Sequence, residues 1–207
     1  MRVSRLFGGT CLFGIACLDP TQVLLSIETT AKCSAGAGSE VLVQTGVFVG
    51  ADSLPPDPQA VHDGCDTAQD PNIGTLVLFP PSGSGEAALL VIGALEAGSV
   101  STCRTALDSG GDLAGCIIAR RRLSFIEHTS LTLSITLDPA CAGVRCAEDQ
   151  TCQAAGGTPS CVSSEAECRG TVCDVAQGEG AGGGAGGAPP VEARLAWLER
   201  PPGMASV

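Results

Sequence analysis

Cysteine is the residue type in this sequence with the widest choice of chemistry. The 207-residue chain has twelve cysteines, and six of them lie between positions 141 and 173. Within that segment, successive cysteines are separated by four, five, eight, six and four residues. Thiols at this density can bind a metal ion, form a redox couple or join one another in disulfides. Their spacing and their redox compartment decide between these three.

The spacing argues against a metal site and against a redox couple. Structural zinc sites bring closely spaced Cys pairs and His residues to one ion, and thioredoxin-type couples use a C-x-x-C motif. The 141–173 segment has no C-x-x-C motif and no histidine. We therefore predict disulfides, with no metal ion and no other cofactor.

The N-terminal residues indicate which compartment the cysteines occupy. The basic sequence MRVSR is followed by the largely apolar LFGGTCLFGIA, which is shorter than the about 20 residues that span a bilayer. This pattern predicts a signal peptide over residues 1–16. Ala16 before Cys17 resembles the lipobox of bacterial lipoproteins, in which the cysteine thiol is acylated, although Gly14 replaces the leucine that this motif prefers. We predict that Cys17 is lipidated. The alternatives are an ordinary secretory peptide cut nearby and a cytosolic N-terminus with Cys11 and Cys17 buried.

The number of cysteines supports lipidation. Cys11 would leave with the signal peptide and Cys17 would carry the lipid, which leaves an even number for disulfides. The residue after Cys17 is Leu18 rather than Asp, which in lipoproteins of diderm bacteria usually implies sorting to the outer membrane. We therefore predict a lipid anchor in the cell outer membrane, or otherwise secretion. The candidate disulfide residues are Cys33, Cys65, Cys103, Cys116, Cys141, Cys146, Cys152, Cys161, Cys168 and Cys173.

Histidine offers little for catalysis. The chain has two histidines, His62 beside Asp63 in a long loop and His128 in the sequence IEHTS. Neither lies near a G-x-S-x-G motif, in which a serine nucleophile would meet a histidine base. We expect both to be exposed loop residues, and we predict no catalytic residue and no enzymatic activity.

Aspartate is concentrated in the same long loop, at 50–72. Carboxylates on a tied loop could bind Ca²⁺, but this loop lacks the D-x-D-x-D-G pattern of calcium-binding loops. We expect a solvated acidic loop. Its aspartates are Asp52, Asp57, Asp63, Asp66 and Asp70.

The net charge of −11 argues against nucleic acid as a partner, because phosphate contacts need clustered Lys and Arg. The only basic run is Arg120, Arg121 and Arg122, within a strand-like stretch. We interpret this run as a solvated strand edge, at which like charges would discourage pairing with another sheet.

The elements that position these residues are mostly strands. Aromatic residues make up only 3% of the chain, so the core must be aliphatic. Short stretches of apolar alternation, separated by Gly, Pro, Ser and Asp, predict a mainly β fold: an Ig-like antiparallel β-sandwich over residues 17–138. Val100–Arg104 is the weakest of these strands, and Ala87–Leu95 is assigned to a strand although its composition would also suit a helix. The stretches are Gln22–Glu28, Val41–Val49, Gly74–Phe79, Ala87–Leu95, Val100–Arg104, Ile117–Ile126 and Leu131–Leu137.

Disulfides are expected to tie the irregular parts of the sandwich. Cys65 lies in the long loop and pairs most simply with Cys33. Cys103 and Cys116 flank RTALDSGGDLAG, whose central Gly-Gly predicts a hairpin closed by their disulfide.

The composition changes after the last strand. Residues 139–173 are too few to bury a core of their own, so we predict a small knot stabilised by disulfides. The sequence GEGAGGGAGGAPP at 178–190 predicts a disordered Gly-rich linker and tail over 174–207.

Residues 120–162, RRRLSFIEHTSLTLSITLDPACAGVRCAEDQTCQAAGGTPSCV, resemble secreted lipoproteins that are abundant in myxobacterial genomes. The resemblance implies an exported protein whose β-sandwich leads into an EGF-like segment, and it implies no reaction. In an EGF-like segment the first cysteine pairs with the third and the second with the fourth. That implies Cys141–Cys152 and Cys146–Cys161, and leaves Cys168–Cys173. The matching residues are Phe125, Leu131, Leu133, Cys141, Gly143, Val144, Cys146, Gln150, Cys152 and Cys161.

Together these features predict a non-enzymatic, lipid-anchored protein of the cell envelope with a structural, adhesive or binding role. Its partners would be the membrane, through the N-terminal lipid, and a protein or glycan at the cell surface. The alternative is a secreted ligand-binding or protease-inhibitor module that acts through the cysteine-rich knot.

Overall fold

A computed structural model describes residues 19–33, 41–51, 53–65, 72–80, 85–96 and 98–175. Within these residues the chain forms strands almost throughout, with one α-helix and one 3₁₀ turn, which confirms the predicted mainly β class. The elements are β1 (Gln22–Thr29), β2 (Leu42–Gly50), β3 (Ala60–Asp63), β4 (Asn72–Leu78), β5 (Glu86–Leu95), α1 (Val100–Ser109), β6 (Cys116–Ser124), β7 (Ser130–Leu137), the 3₁₀ turn Pro139–Cys141, β8 (Gln150–Ala155), β9 (Thr158–Ser163), β10 (Ala166–Arg169) and β11 (Val172–Val175).

Two sheets share one aliphatic core. The larger sheet has the strand order β10-β11-β7-β1-β4, and the smaller has the order β3-β2-β5-β6. Every second residue of β1 is buried, and so is every second residue of β7, as the period of a strand with one buried face requires. Leu25 and Leu133 of the larger sheet belong to the same buried cluster as Leu89 and Ile117 of the smaller sheet. The core therefore lies between two facing sheets.

The pairing of β1 with β7 is parallel, which differs from the antiparallel sandwich that the sequence predicts. The register runs from Gln22 opposite Ser130 to Thr29 opposite Leu137, without a shift. A parallel pair needs a long crossover connection. Here that connection is the chain between Thr29 and Ser130, which contains β2 to β6 and α1.

The prediction of a strand at Val100–Arg104 and of a hairpin up to Cys116 is wrong. These residues begin α1, which Ser99 caps by accepting a hydrogen bond from the backbone N–H of Thr102 and which ends at Gly110 in the left-handed conformation. The predicted disulfide Cys103–Cys116 is present, and it fastens the helix to the start of β6 instead of closing a hairpin.

The helix packs on the outer face of the smaller sheet. Val100 and Cys103 are buried against Phe48, Ile92 and Ile118 in a second apolar cluster. The helix approaches the sheet closely where β2 has Gly46, because a Cβ atom there would overlap the Val100 side chain. The smaller sheet is therefore covered on both faces at this end.

The long loop at 50–72 is more ordered than the sequence predicts where the structure describes it. It contains β3, which pairs antiparallel with β2 through Gln44–Val47. Cys65, two residues after the end of β3, is joined to Cys33 as expected.

The cysteine-rich segment is part of the same folded body and not a separate knot. β8 and β9 form a hairpin, whereas β10 and β11 extend the larger sheet through a parallel pairing of β11 with β7. Cys141, Cys152 and Cys173 are buried in the core that both sheets share. β11 continues to Val175, beyond the predicted end of this segment at residue 173. The remaining tail, 176–207, lies outside the described residues.

Disulfides join all ten cysteines from Cys33 onward. The pairs are those that sequence proximity and the resemblance suggested: Cys33–Cys65, Cys103–Cys116, Cys141–Cys152, Cys146–Cys161 and Cys168–Cys173. The predicted signal peptide, 1–16, and the predicted lipidation site, Cys17, lie outside the described residues. Among the described residues, no helix has both the length and the apolar character needed to cross a membrane.

Candidate functional site

The arginine run on β6 divides between the two faces of the strand. β6 pairs with β5 without a register shift, so its side chains alternate regularly. Ala119 and Leu123 belong to the core between the sheets, and Arg121 shares their side. Ile118 belongs to the cluster under α1, so Arg120 and Arg122 project to the outer face beyond the helix.

A cleft of about 650 Å³ opens on that outer face. Its floor is the end of the β5–β6 pair, where Ala88 lies opposite Arg122 and Leu90 lies opposite Arg120. One wall is the C-terminal half of α1, and the other is the segment 145–148 that follows the 3₁₀ turn. Four of the chain's eleven basic residues have their side chains on this side of the sheet and line the cleft: Arg104, Arg120, Arg122 and Arg145. Arg121 also borders the cleft, although its side chain lies on the other face of β6. A protein with a net charge of −11 thus concentrates its cations in one concave place.

Arg104 is held in place from two sides. Its guanidinium carbon lies 5.1 Å from the centre of the Phe48 ring, which is completely buried. Its Nε donates to a carboxylate oxygen of Asp108, one helical turn further on, at 2.9 Å. A cation over an aromatic face and an i,i+4 ion pair both limit the rotamers of the side chain. The helix therefore presents this guanidinium to the cleft in a fixed position.

Arg145 caps the C-terminal end of α1 with hydrogen bonds from its guanidinium group. Its Nη1 donates to the carbonyl oxygen of Leu107 at 3.1 Å, and its Nη2 donates to the carbonyl oxygens of Ala106 at 3.2 Å and Gly111 at 2.7 Å. The last carbonyls of a helix lack partners within the helix and carry the negative end of its dipole, so a guanidinium there is favourable. The contact also fixes the 145–148 wall relative to the helix.

Arg120 lies between these two walls. Its Nη1 reaches the carbonyl oxygens of Ala147 at 3.3 Å and Gln150 at 3.4 Å. Burial lowers the pKa of Arg120, Glu148 opposes that effect, and the positive charges of Arg145 and Arg104 lower the pKa further. The guanidinium groups of the cleft are therefore close enough to repel one another.

Arg121 is a buried cation on the opposite face of the strand, with 6% of its surface exposed. Its Nη1 donates to the carbonyl oxygen of Arg120 at 2.6 Å and to the hydroxyl of Thr151 at 3.0 Å. Its Nε is buried and has no hydrogen-bond partner among the described residues. Burial lowers the pKa of Arg121 to about 10, while Asp174 acts in the opposite direction. The side chain is therefore still charged at neutral pH.

The prediction that Arg120–Arg122 form a solvated edge is wrong for two of the three residues. β6 is the edge strand of its sheet, but the cysteine-rich segment covers that edge. The backbone N–H of Arg120 donates to Thr151 Oγ1 at 3.0 Å, and the N–H of Arg122 donates to the carbonyl oxygen of Ser164 at 2.8 Å. Only Arg122 is exposed. The contacts that bury the other two come from residues about 30 positions later, which the arginine run does not reveal.

The two histidines lie outside the cleft. His62 is a half-buried residue of β3, which corrects its placement in an irregular loop. His128 is exposed in a turn, as expected, with a φ of 55° and with its backbone N–H donating to the hydroxyl of Thr21 at 2.8 Å.

The predicted acidic loop is described only in part. Asp57 and Asp63 lie in the described region, where Asp63 accepts a hydrogen bond from the side-chain amide of Gln44 at 2.9 Å. Asp52, Asp66 and Asp70 lie outside it. Among the described residues, no three side chains of the metal-binding types are grouped together.

The side chains that line the cleft are suited to binding. Guanidinium groups stay protonated at neutral pH and donate hydrogen bonds in a planar fork that matches carboxylate, phosphate and sulfate oxygens. Cys146 also lines the cleft, but its sulfur is engaged in a disulfide. Within the described residues, neither the histidines nor a free thiol lines the cleft, and the sequence analysis did not identify this group of arginines as a site.

Comparison of this chain with protein families, with curated proteins and with solved structures finds no match.

Proposed function

We propose that the protein is an exported, lipid-anchored protein of the bacterial cell envelope with a non-enzymatic binding role. The observation that carries the proposal is the pairing of every cysteine after Cys17 in a disulfide. Stable disulfides in this number are typical of extracellular and periplasmic proteins and rare in a reducing cytosol. The resemblance of residues 120–162 to myxobacterial lipoproteins supports the same address.

The position of Cys17 supports an anchoring role for its thiol. All later cysteines have partners, so Cys17 is not needed for any of the five disulfides. Gln22, the first residue of β1, lies five positions after Cys17, with four residues between them. An extended chain advances about 3.4 Å per residue, so a lipid on Cys17 would hold the folded body within about 17 Å of the membrane. The several acyl chains of a bacterial lipoprotein bind a bilayer firmly, whereas one chain binds only marginally.

The cleft supports a binding role over an enzymatic one. Most of its charged lining residues are arginines, and guanidinium groups recognise negative charge without exchanging protons at neutral pH. A general acid or base needs a pKa near the working pH. Arg121, whose pKa lies at about 10, does not meet that requirement.

Metabolic labelling with a palmitate analogue tests the lipid anchor. The full-length chain should take up the label, and Cys17→Ala should abolish it. Cys11→Ala is the matched control, because Cys11 would leave with the signal peptide and its loss should not change the label. Intact-mass analysis of the purified protein should show an N-terminus at Cys17 with added lipid mass and no free thiol. Label on the Cys17→Ala chain, or a mature protein with reduced cysteines, would contradict the proposal.

A second candidate function rests on the β8–β9 hairpin. All six residues from Ala155 to Ser160 lie at or beside its tip, and they are exposed. Its strands are anchored by Cys141–Cys152 and Cys146–Cys161, so the tip is an exposed loop on a rigid base. Rigid loops lose little entropy on binding, which suits a protease inhibitor or a ligand-binding module. The whole protein should then slow a member of a protease panel, and substitution of Thr158 by Asp should relieve that inhibition. Absence of inhibition across the panel removes this candidate.

A further inference from the structure

We infer that the arginine-lined cleft binds a small dianion that carries phosphate, sulfate or carboxylate groups. This inference rests on the proposed binding role, and it does not depend on the lipid at Cys17.

The charges of the cleft favour a dianion. The side chains of Arg104, Arg120, Arg122 and Arg145 lie on its side of the sheet, and the carboxylates of Asp108 and Glu148 also line it. Four cations and two anions leave two positive charges without an anionic counterpart in the cleft. The guanidinium groups of Arg104 and Arg145 already disfavour the charge on Arg120. A bound dianion would relieve that repulsion, whereas a cation would increase it.

The hydrogen bonds within the protein leave donors for a ligand. Within the described residues, both side-chain hydrogen bonds of Arg120 use Nη1, and the one side-chain hydrogen bond of Arg104 uses Nε. Each guanidinium has five N–H donors in a fixed fork, so several remain at each residue. Arg122 is exposed at the mouth of the cleft, opposite Ala88, whose short side chain leaves the floor open. The guanidinium groups of Arg120 and Arg122 come from neighbouring positions on one face of β6, and two planar groups of donors placed in this way suit the oxygens of an oxyanion.

The size and surroundings of the cleft limit the ligand further. A volume of about 650 Å³ lies within the range of small-molecule sites. Arg145 fixes the two walls to each other through its hydrogen bonds to the end of α1. The Arg104–Asp108 ion pair orders the helix wall, and the Cys146–Cys161 disulfide ties the other wall to β9. A site that is already assembled loses less free energy on binding than one that must first be ordered.

Isothermal titration of the purified full-length protein with sulfate, phosphate and succinate tests the inference. Binding should occur at low salt and weaken when the ionic strength rises from about 0.01 M to 0.15 M, because the Debye length falls from about 30 Å to 8 Å. Acetate, a monoanion, should bind much more weakly than succinate. Preference for sulfate and phosphate would identify a tetrahedral oxyanion as the ligand group, and preference for succinate would identify a dicarboxylate.

Charge variants of opposite sign separate binding from damage to the fold. Arg122→Gln should weaken binding by about tenfold or more, the effect of one charge-assisted hydrogen bond, and Arg122→Lys should recover part of it. Glu148→Gln should tighten binding by about threefold, since it removes a like charge from the mouth. Arg169→Gln is the matched control, because Arg169 is exposed on β10 and does not line the cleft.

Three results would overturn the inference: no binding of any dianion up to about 10 mM, equal binding of acetate and succinate, or equal losses in Arg122→Gln and Arg169→Gln. If no dianion binds but Cys17 takes up the lipid label, the proposed ligand class is wrong and the proposed membrane anchor is retained. If a dianion binds but Cys17 takes up no label, the ligand class is retained and the anchor is wrong.

Discussion

The two ends of the outer face of the β5–β6 pair have opposite characters. At one end, Ile92 and Ile118 are buried under α1, and the Cys103–Cys116 disulfide fastens the helix there. At the other end, Arg120 and Arg122 take the corresponding positions of β6, and the helix leaves a cleft. The backbone pairing is the same regular antiparallel ladder throughout. On this outer face, an apolar residue of β6 such as Ile118 packs under the helix, whereas an arginine at the next positions of the same face borders the cleft.

The comparison also shows how the cleft is supported. The closed end supplies the fixed position of α1, and α1 carries Arg104 over Phe48. Loss of packing at the closed end should therefore damage both ends, whereas loss of charge at the open end should affect only the cleft. Four changes follow in order of expected effect. Three test whether the cleft depends on the packing under the helix but not the reverse, and Arg121→Met tests the buried charge on the other face of β6.

The largest effect should come from Phe48→Ala. Phe48 is completely buried in the cluster under the helix, and removal of a buried phenyl ring leaves a cavity that costs about 3–5 kcal/mol. Urea unfolding followed by circular dichroism should show this loss, and dianion binding should weaken because Arg104 loses its aromatic support. Phe48→Leu is the control and should recover most of the stability. Unchanged stability in Phe48→Ala would mean that the closed end does not hold the helix.

The double variant Cys103→Ala, Cys116→Ala should cost about 3 kcal/mol. Its disulfide closes a loop of 13 residues, and the entropy that a disulfide removes from the unfolded chain, and so its stabilising effect, rises with loop length. Hydrogen exchange should report faster opening of α1 than of β1, because the helix depends on this link and β1 does not. The matched control is Cys168→Ala, Cys173→Ala, which opens a loop of only five residues and should cost less. Equal costs would show that loop length does not govern these links.

Arg121→Met should stabilise the fold by about 1 kcal/mol. Nε of the buried guanidinium has no hydrogen-bond partner among the described residues, and apolar replacement of an imperfectly compensated buried charge is often neutral or stabilising. Because burial lowers the pKa of Arg121 to about 10 in the folded state, well below its usual value, the folded protein releases this proton before the unfolded chain does as pH rises. The difference in unfolding free energy between variant and wild type should be constant from about pH 6 to 9. It should become smaller above about pH 10, because folded wild-type protein loses the charge on Arg121 there. Urea midpoints across this pH range measure this difference, and a destabilised Met variant would show that Thr151 and Asp174 fully compensate the charge.

The smallest effect should come from Arg122→Ala. Arg122 is exposed and makes no side-chain hydrogen bond among the described residues, so the change in unfolding free energy should stay within about 0.5 kcal/mol. Thermal unfolding of Arg122→Ala and Phe48→Ala under the same conditions compares the two losses of stability directly. A loss comparable to that of Phe48→Ala would make the open end a structural element and would weaken the distinction between the two ends.

Much of the fold could be predicted from local patterns. The apolar alternation of β1 and β7 is regular, and the structure buries the residues that it indicates, among them Leu25 and Leu133. The five disulfides could be anticipated because each joins consecutive cysteines of the chain or follows an EGF-like order. For the strands and for four of the disulfides the information lies within one short segment, whereas Cys33–Cys65 joins residues 32 positions apart.

The helix was missed although local cues existed. Ser99 and Gly110 are a suitable N-cap and C-terminal glycine, and Val100, Cys103 and Leu107 follow a helical spacing. The sequence instead predicts a weak strand at Val100–Arg104 and, from the Gly-Gly between Cys103 and Cys116, a hairpin. The cleft could not be found from the sequence, because its arginines come from α1, β6 and the 145–148 segment. Only tertiary packing joins these three parts.

The parallel pairing of β1 with β7 has a consequence for the order of folding events. The side-chain amide of Gln22 bonds the hydroxyl of Ser130, and 108 positions separate these two residues along the chain. Pairings between such distant residues form slowly, because the chain must first close a long loop. The first strand therefore remains without one neighbour until the last strand of the sandwich has emerged. Until then β1 can pair only with β4, so the larger sheet cannot be completed before the chain up to Leu137 is available.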